Sequence, residues 1–339
     1  DVHTAFDCYS ISKTKLEALD DLMDDPNAVD DDGVAYVDMK WEYLFTLGKY
    51  HARWSELTDT DFHPVYNREK GAKSVIAVAD VGDYDLIDED MATEESGQTG
   101  FVYLRKIIED CQARGIDVLL VHLPYPANEQ QQMDANAVAY IAEDYGLNYI
   151  DFVSMDQVAD YATDCFDAHE HLNPSGARKV SDYLGRYITE HYDVDDHRGD
   201  AAYTAWADDA AAYREKKRTD FERQSDLACA LMLLHDDDFA CTVTVSAGNA
   251  LFESDKLMTL MQNIAREHVF EEDLFAKWSN SLFPLEALDE AAQSGQSYAV
   301  TINRAAGELE ETVGADVPEG VRITLMNSVS GETLCEKQF

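Results

Sequence analysis

Positive charge is what this chain has least of: 26 lysines and arginines stand against 68 aspartates and glutamates, a formal net charge of -42. Most of such a surface repels a polyanion, so nucleic acid is excluded as a partner, and the excess acid reads as general solvation rather than as a cation-binding device. Long hydrophobic runs are also missing. No stretch approaches the roughly 20 apolar residues of a membrane-spanning helix. The six cysteines (Cys8, Cys111, Cys165, Cys229, Cys241, Cys335) include no C-x-x-C pair, which argues against a structural zinc site or a thioredoxin-like motif. Cys111 and Cys241 fall on apolar faces and read as buried thiols. The opening, Asp1-Val2-His3, has no methionine, signal peptide or strand before it. It reads as the middle of a fold or a processed fragment.

What is present is enough for a globular protein. At 339 residues, 45% of them hydrophobic, the chain predicts two domains. Residues 10–25 and 37–57 show helical periodicity, the second with a stripe of Met39, Tyr43, Leu47, Tyr50 and Trp54 that reads as core. Residues 74–78 (SVIAV) predict a short strand, and 80–96 an acidic, exposed excursion. A capped helix from Thr99 turns Phe101, Leu104, Ile108 and Cys111 inward and ends before Gly115. The apolar run 116–123 (IDVLLVHL) then predicts a strand buried on both faces, halted by Pro124 and Pro126. A helix over 131–145, Gly146 and a strand over 147–153 repeat the alternation, which implies a parallel sheet with right-handed crossovers.

The most informative stretch is 161–188, YATDCFDAHEHLNPSGARKVSDYLGRYI. An acid and two histidines stand immediately before a marked helix start, with Asn173 as cap and Pro174 at the first helical position. Val180, Leu184 and Ile188 form the packing face, which leaves Arg178, Lys179 and Arg186 exposed. His171 therefore sits on a loop fixed by a buried helix. Ligands gather at the carboxyl ends of parallel strands, where His122 and Tyr125 emerge, so His122, Tyr125, His169 and Asn173 are expected to line a pocket beside His171.

These residues resemble the last signature block of the SGNH (GDSL-like) hydrolase superfamily, which has a form similar to D-x-x-H-x-N-x-x-G followed by a helix. His171, Leu172, Asn173, Pro174, Ser175 and Gly176 stand at the corresponding places. The acid spacing differs: Asp167 lies four residues before His171, and position 168 is alanine. Either the loop carries one extra residue and Asp167 still reaches the imidazole, or Asp164 or Glu170 is the orienting acid; Asp167 is preferred. The resemblance covers about residues 1–190 and implies a three-layer α/β domain with a parallel sheet. It also implies acyl-ester chemistry, in which His171 takes the proton of a serine and Asp167 fixes the imidazole. The family's Gly-Asp-Ser block has no counterpart here. Of the serines before His171, Ser10, Ser12, Ser55, Ser74, Ser96 and Ser154, none stands in the small-residue turn that a nucleophile needs, and Ser10 and Ser12 read as helix caps. The expectation is a sheet that is incomplete at its start and a fragment without its nucleophile.

Two other readings of the loop are weaker. His171 alone caps or packs against its helix in one. In the other, Asp167, His169 and His171, with His122, hold a metal ion. The preferred reading needs neither metal nor cofactor.

Residues 193–200 (DVDDHRGD) read as a linker between a first domain at 1–192 and a second at 201–339. Helices are expected to about 234, then at 254–268 and 284–292. Strands are expected at 239–245, 297–303 and 321–327, the last two each opening a hairpin. This α/β or α+β part vaguely resembles the interleukin-like EMT inducer type of module and carries no cluster of acid, base and nucleophile. The resemblances together imply an ester hydrolase or O-acyltransferase acting on acylated carbohydrate of the cell envelope, outside the cytoplasm. The alternative is a non-catalytic carbohydrate-binding or assembly protein that keeps the fold.

Overall fold

The computed structural model describes residues 9–24, 40–45, 55, 57–59, 69–79, 81, 86–87, 91–93, 99–155, 158–167, 171–235, 238–245, 254–265, 290, 293–303, 308–313 and 320–339. The protein is mixed α/β, with one parallel and one antiparallel sheet. Its chain divides into two compact units: Asp1–Tyr66, Ala92–Leu120 and Asn136–Asn148 form one, and Asn67–Met91, Val121–Ala135 and Tyr149–Phe339 form the other. The segment 193–200, expected to be a linker, runs inside the second unit.

In the first unit, α1 (Lys13–Asp24) starts after Ser12, whose hydroxyl accepts the Lys15 N–H at 3.1 Å. Helix α2 (Lys40–Leu44) buries Tyr43, the one member of the aromatic stripe among the described residues. Helix α3 (Thr99–Ala113) buries Phe101 and Ile108 against Ala137 and Ile141 of α4 (Glu129–Tyr145). Both helices end the same way. Gly115 and Gly146 take positive φ (69° and 65°), and Ile116 and Leu147 donate back to the carbonyls of Cys111 (2.9 Å) and Ala142 (2.8 Å). A side chain at either glycine would be strained in this conformation, so each glycine closes its helix and turns the chain toward a strand.

Those strands, β1 (Leu119–His122) and β2 (Asn148–Asp151), form the two-stranded parallel sheet. They are shorter than the sequence predicts, and β1 is half-buried along its length rather than covered on both faces. Strand β2 stops at Asp151 because its carboxylate accepts the Val153 N–H at 3.1 Å, a local turn that competes with the ladder.

The second unit is built on an antiparallel sheet ordered β5-β4-β3-β6-β7. Strand β3 (Phe239–Val245) is central, flanked by β4 (Tyr298–Asn303) and β6 (Val321–Asn327), with β5 (Glu308–Val313) and β7 (Thr333–Gln338) at the edges. Val243 stands opposite Val300 on one side and Ile323 on the other. The two expected hairpins are β4–β5 and β6–β7. Alternation along β6 turns Val321, Ile323 and Leu325 inward. They pack with Phe221 of α6 (Thr204–Arg223), with Leu231 and Met232 of α7 (Leu227–Leu233), and with Leu260, Met261 and Ile264 of α8 (Asp255–Ala265).

Two expectations are corrected. Residues 74–78 are not a ladder strand. Ile76 and Val78 pack on the core just described, while the Ala77 carbonyl accepts from the Asn173 side chain and the Ala79 N–H donates to the Cys165 carbonyl. In α5 (Pro174–His191), Val180 is buried as expected, but so is Lys179. Its ammonium meets Asp164 Oδ2 at 2.6 Å. A lysine can bury its stem and end on a carboxylate, which an apolar stripe does not reveal. Most of the expected helices at 37–57 and 284–292, and of the excursion at 80–96, lies outside the described residues.

Candidate functional site: two histidine–carboxylate pairs

Both pairs belong to the second unit. The chain from Asp164 to Asn173 folds back on itself: Asn173 N–H donates to the Asp164 carbonyl (2.8 Å), Cys165 and Leu172 form an antiparallel bridge, and Phe166 N–H donates to the His171 carbonyl (3.0 Å). Asp167 and His171 therefore face each other across the mouth of a short loop. The Asp167 carboxylate accepts the His171 backbone N–H at 3.2 Å on one oxygen and its Nδ1–H at 3.0 Å on the other. That geometry accounts for an acid four residues before the histidine. Phe166 stacks on the imidazole, with ring centroids 5.3 Å apart and planes 17° apart. With Nδ1–H given to the carboxylate, the Nε2 lone pair points away, and it has no partner among the described residues. The His171 side chain is 66% exposed.

The loop is fastened from below. Asn173 is fully buried; its oxygen accepts the N–H groups of Ser175 (3.0 Å) and Gly176 (3.2 Å), and its amide donates to the Thr163 carbonyl at 2.8 Å. It caps α5 and ties the helix to the loop, and no polar atom of it is left to line a pocket. Gly176 presses on the same turn: a Cβ there would come within 2.6 Å of the Asp164 carbonyl oxygen. Asp164 turns inward to Lys179 and accepts the Asp160 N–H at 2.8 Å, so it does not orient His171. Ser175 Oγ–H donates to His235 Nδ1 (2.8 Å), and His235 Nε2–H donates to the Leu260 carbonyl (3.0 Å). The start of α5 is thereby bound to α8. His169 and Glu170 lie outside the described residues.

No described serine hydrogen-bonds to His171. Ser154 donates to Asp151 and Ser74 to Glu69. Cys165 does not replace the serine, because burial, reinforced by the carboxylates of Asp164, Asp167 and Asp160, pushes its thiol up to about 12. Among the described residues no three His, Cys, Asp or Glu side chains converge as metal ligands do.

A second pair stands at the ends of the parallel strands. His122, the last residue of β1, donates Nδ1–H to Asp151, the last residue of β2, at 2.9 Å. Asp151 also accepts from Ser154 Oγ–H (2.5 Å) and Val153 N–H (3.1 Å). Burial raises its pKa, but the hydrogen bonds from His122 and Ser154, the charge of His122 and the Val153 N–H more than offset this, so the carboxyl is held below its ordinary value. His122 Nε2 faces the Tyr125 hydroxyl at 3.3 Å. Sequence reasoning placed His122 and Tyr125 at this edge and missed Asp151. Its signal was present: an aspartate inside the expected strand 147–153, one strand on from the histidine near the end of the run 116–123.

No protein-family model, curated protein or solved structure matches the chain.

Proposed function

We propose that this chain carries the acid–base half of an SGNH-type ester hydrolase or O-acyltransferase, on a three-layer α/β fold wider than the two parallel strands described. His171 takes the proton of the attacking hydroxyl and returns it to the leaving group, and Asp167 fixes the imidazole and stabilises its cation. The substrate class is acylated carbohydrate of the cell envelope, and the chain acts outside the cytoplasm. The observation that carries this reading is the wiring of His171, with Nδ1–H on a carboxylate and Nε2 turned outward without a partner among the described residues. The strongly acidic composition suits a neutral glycan better than an anionic one. No helix among the described residues is long and apolar enough to cross a membrane.

The test is release of acetate from an O-acetylated glycan by the full chain, with His171→Ala and Asp167→Ala alongside, and fluorophosphonate labelling. Slow release that falls in His171→Ala, with no serine labelled, supports the proposal, because the pair then activates water without a nucleophile of its own chain; robust turnover with one labelled serine overturns the expectation that the nucleophile is lacking. Binding of the glycan without any release that depends on His171 favours the second reading, a carbohydrate-binding or assembly protein that keeps the fold.

A further inference from the structure

The pair at the strand ends has a third member. The Nδ1–H of His122 is given to an ionised carboxylate, so its Nε2 lone pair faces the Tyr125 phenol and accepts a hydrogen bond from its O–H at 3.3 Å. We infer that Asp151, His122 and Tyr125 form an acid–base–nucleophile chain, and that Tyr125 is a nucleophile for activated acyl groups. This site is separate from the role proposed for His171.

Three features support the assignment. The order of contacts, carboxylate to Nδ1 and Nε2 to a hydroxyl, is the arrangement in which a weak nucleophile is activated by an oriented base, and tyrosine is among the side chains that form such covalent intermediates. A separation somewhat beyond an ideal hydrogen bond is usual before a substrate is bound. The assembly is also held still. The side chains of His122 and Asp151 are only 20% and 16% exposed. The Tyr125 carbonyl accepts from Ala127 N–H (2.7 Å) and Tyr161 O–H (3.2 Å), and the Gln132 amide grips the Ala127 carbonyl at 2.8 Å. Pro124 and Pro126 restrict the backbone on either side. The rings of His122 and Tyr125 meet edge to face at 5.3 Å, which leaves the phenol oxygen on the imidazole's nitrogen edge.

The step balances with an acyl ester alone. The phenol oxygen bonds to the acyl carbonyl carbon as its proton passes to His122 Nε2. The donor's alkoxide leaves and carries that proton away. Water or a second hydroxyl then takes the acyl group, and Tyr125 regains its proton.

The probe is N-acetylimidazole, a neutral acyl donor whose imidazole leaves with the proton, applied to the full chain with peptide mapping by mass spectrometry. Tyr125 should be O-acetylated about 100-fold faster than the exposed Tyr140, the scale expected of general-base assistance. His122→Gln should bring the rate down to that of Tyr140, and Asp151→Asn should lower it in the same direction. The label should persist in His171→Ala, which separates this chemistry from the role of His171. Acetylation of Tyr125 no faster than that of Tyr140, labelling of His122 itself, or an unchanged rate in His122→Gln would overturn the inference. If both variants fail to fold, 15N spectra of the unaltered chain decide: a His122 protonated at Nε2 instead of Nδ1 overturns it.

Discussion

Lys179 Nζ lies 2.6 Å from Asp164 Oδ2, with side-chain exposures of 11% and 0%. The other oxygen, Asp164 Oδ1, is buried without a hydrogen-bond partner among the described residues. Lys179 therefore carries most of the compensation for a carboxylate taken out of water. Lys179→Met leaves that charge uncompensated and should cost about 3–5 kcal/mol, whereas replacing both partners by apolar residues of similar volume should restore most of the loss. Urea unfolding with unchanged slope measures it; a loss under about 1 kcal/mol would place the pair with ordinary surface contacts.

Gly176→Ala tests the packing of the helix start against the loop. The added methyl meets the Asp164 carbonyl oxygen at 2.6 Å and the Asp164 Cβ at 2.9 Å, backbone and near-backbone atoms that cannot swing aside. A cost of about 1–3 kcal/mol is expected, as for overpacking elsewhere. The His171 ring resonances should shift with it. An unchanged melting temperature and spectrum would contradict the contact.

The tautomer of His171 can be read directly. Long-range 15N correlation should show the neutral ring protonated at Nδ1, and Asp167→Ala should abolish that preference. Because the imidazole is largely exposed, the same variant should change stability by no more than about 1 kcal/mol. A ring protonated at Nε2 in the unaltered chain would remove the basis for its proposed role.

Asp151 should shape the acid limb of stability. Its carboxyl is held below the reference of 3.8, so its stabilising contribution is complete above that pH and is lost as pH falls through the folded value. Asp151→Asn should accordingly be less stable than the parent at neutral pH and converge with it as the pH is taken below the reference value and through the lowered folded one. Urea midpoints followed across that range test the sign; a gap that widens on acidification would reverse it.

Much of the fold was legible in the chain because it rests on local chemistry. Gly115 and Gly146 mark helix ends since the positive φ of each disfavours other residues, and Asn173-Pro174 marks a start since both satisfy the first turn. What was not legible depends on pairing at a distance. Lys179 reads as exposed until Asp164, fifteen positions earlier, is known to face it. Residues 74–78 read as a strand until their partners prove to be the Asn173 side chain and the Cys165 carbonyl. The ladder that sets Asp167 against His171 depends on a bridge between Cys165 and Leu172, which no spacing rule anticipates.

That dependence on distant partners predicts an asymmetry between the two pieces obtained by cutting at residue 200. Among the described residues, every fully buried member of the larger core lies between Phe221 and Leu325, and Ile76 and Val78 are the only half-buried covers drawn from earlier in the chain. Residues 201–339 should therefore unfold cooperatively on their own, with a stability lower by the few kcal/mol that two partly buried aliphatic side chains contribute, about 1.5–3 kcal/mol each at full burial. Residues 1–200 lose more than their sequence suggests. Ser175 is deprived of His235, and with it of the link to the Leu260 carbonyl, so a buried hydroxyl at the first turn of α5 is left without that partner. The Thr163 hydroxyl likewise loses Asn263. The shorter piece should therefore exchange the amide protons of Phe166 and Asn173 much faster than the whole chain does, even if its helices persist. Hydrogen exchange read by NMR on both pieces checks this, and protection of those two amides in residues 1–200 equal to that in the whole chain would show that the loop stands without its distant support.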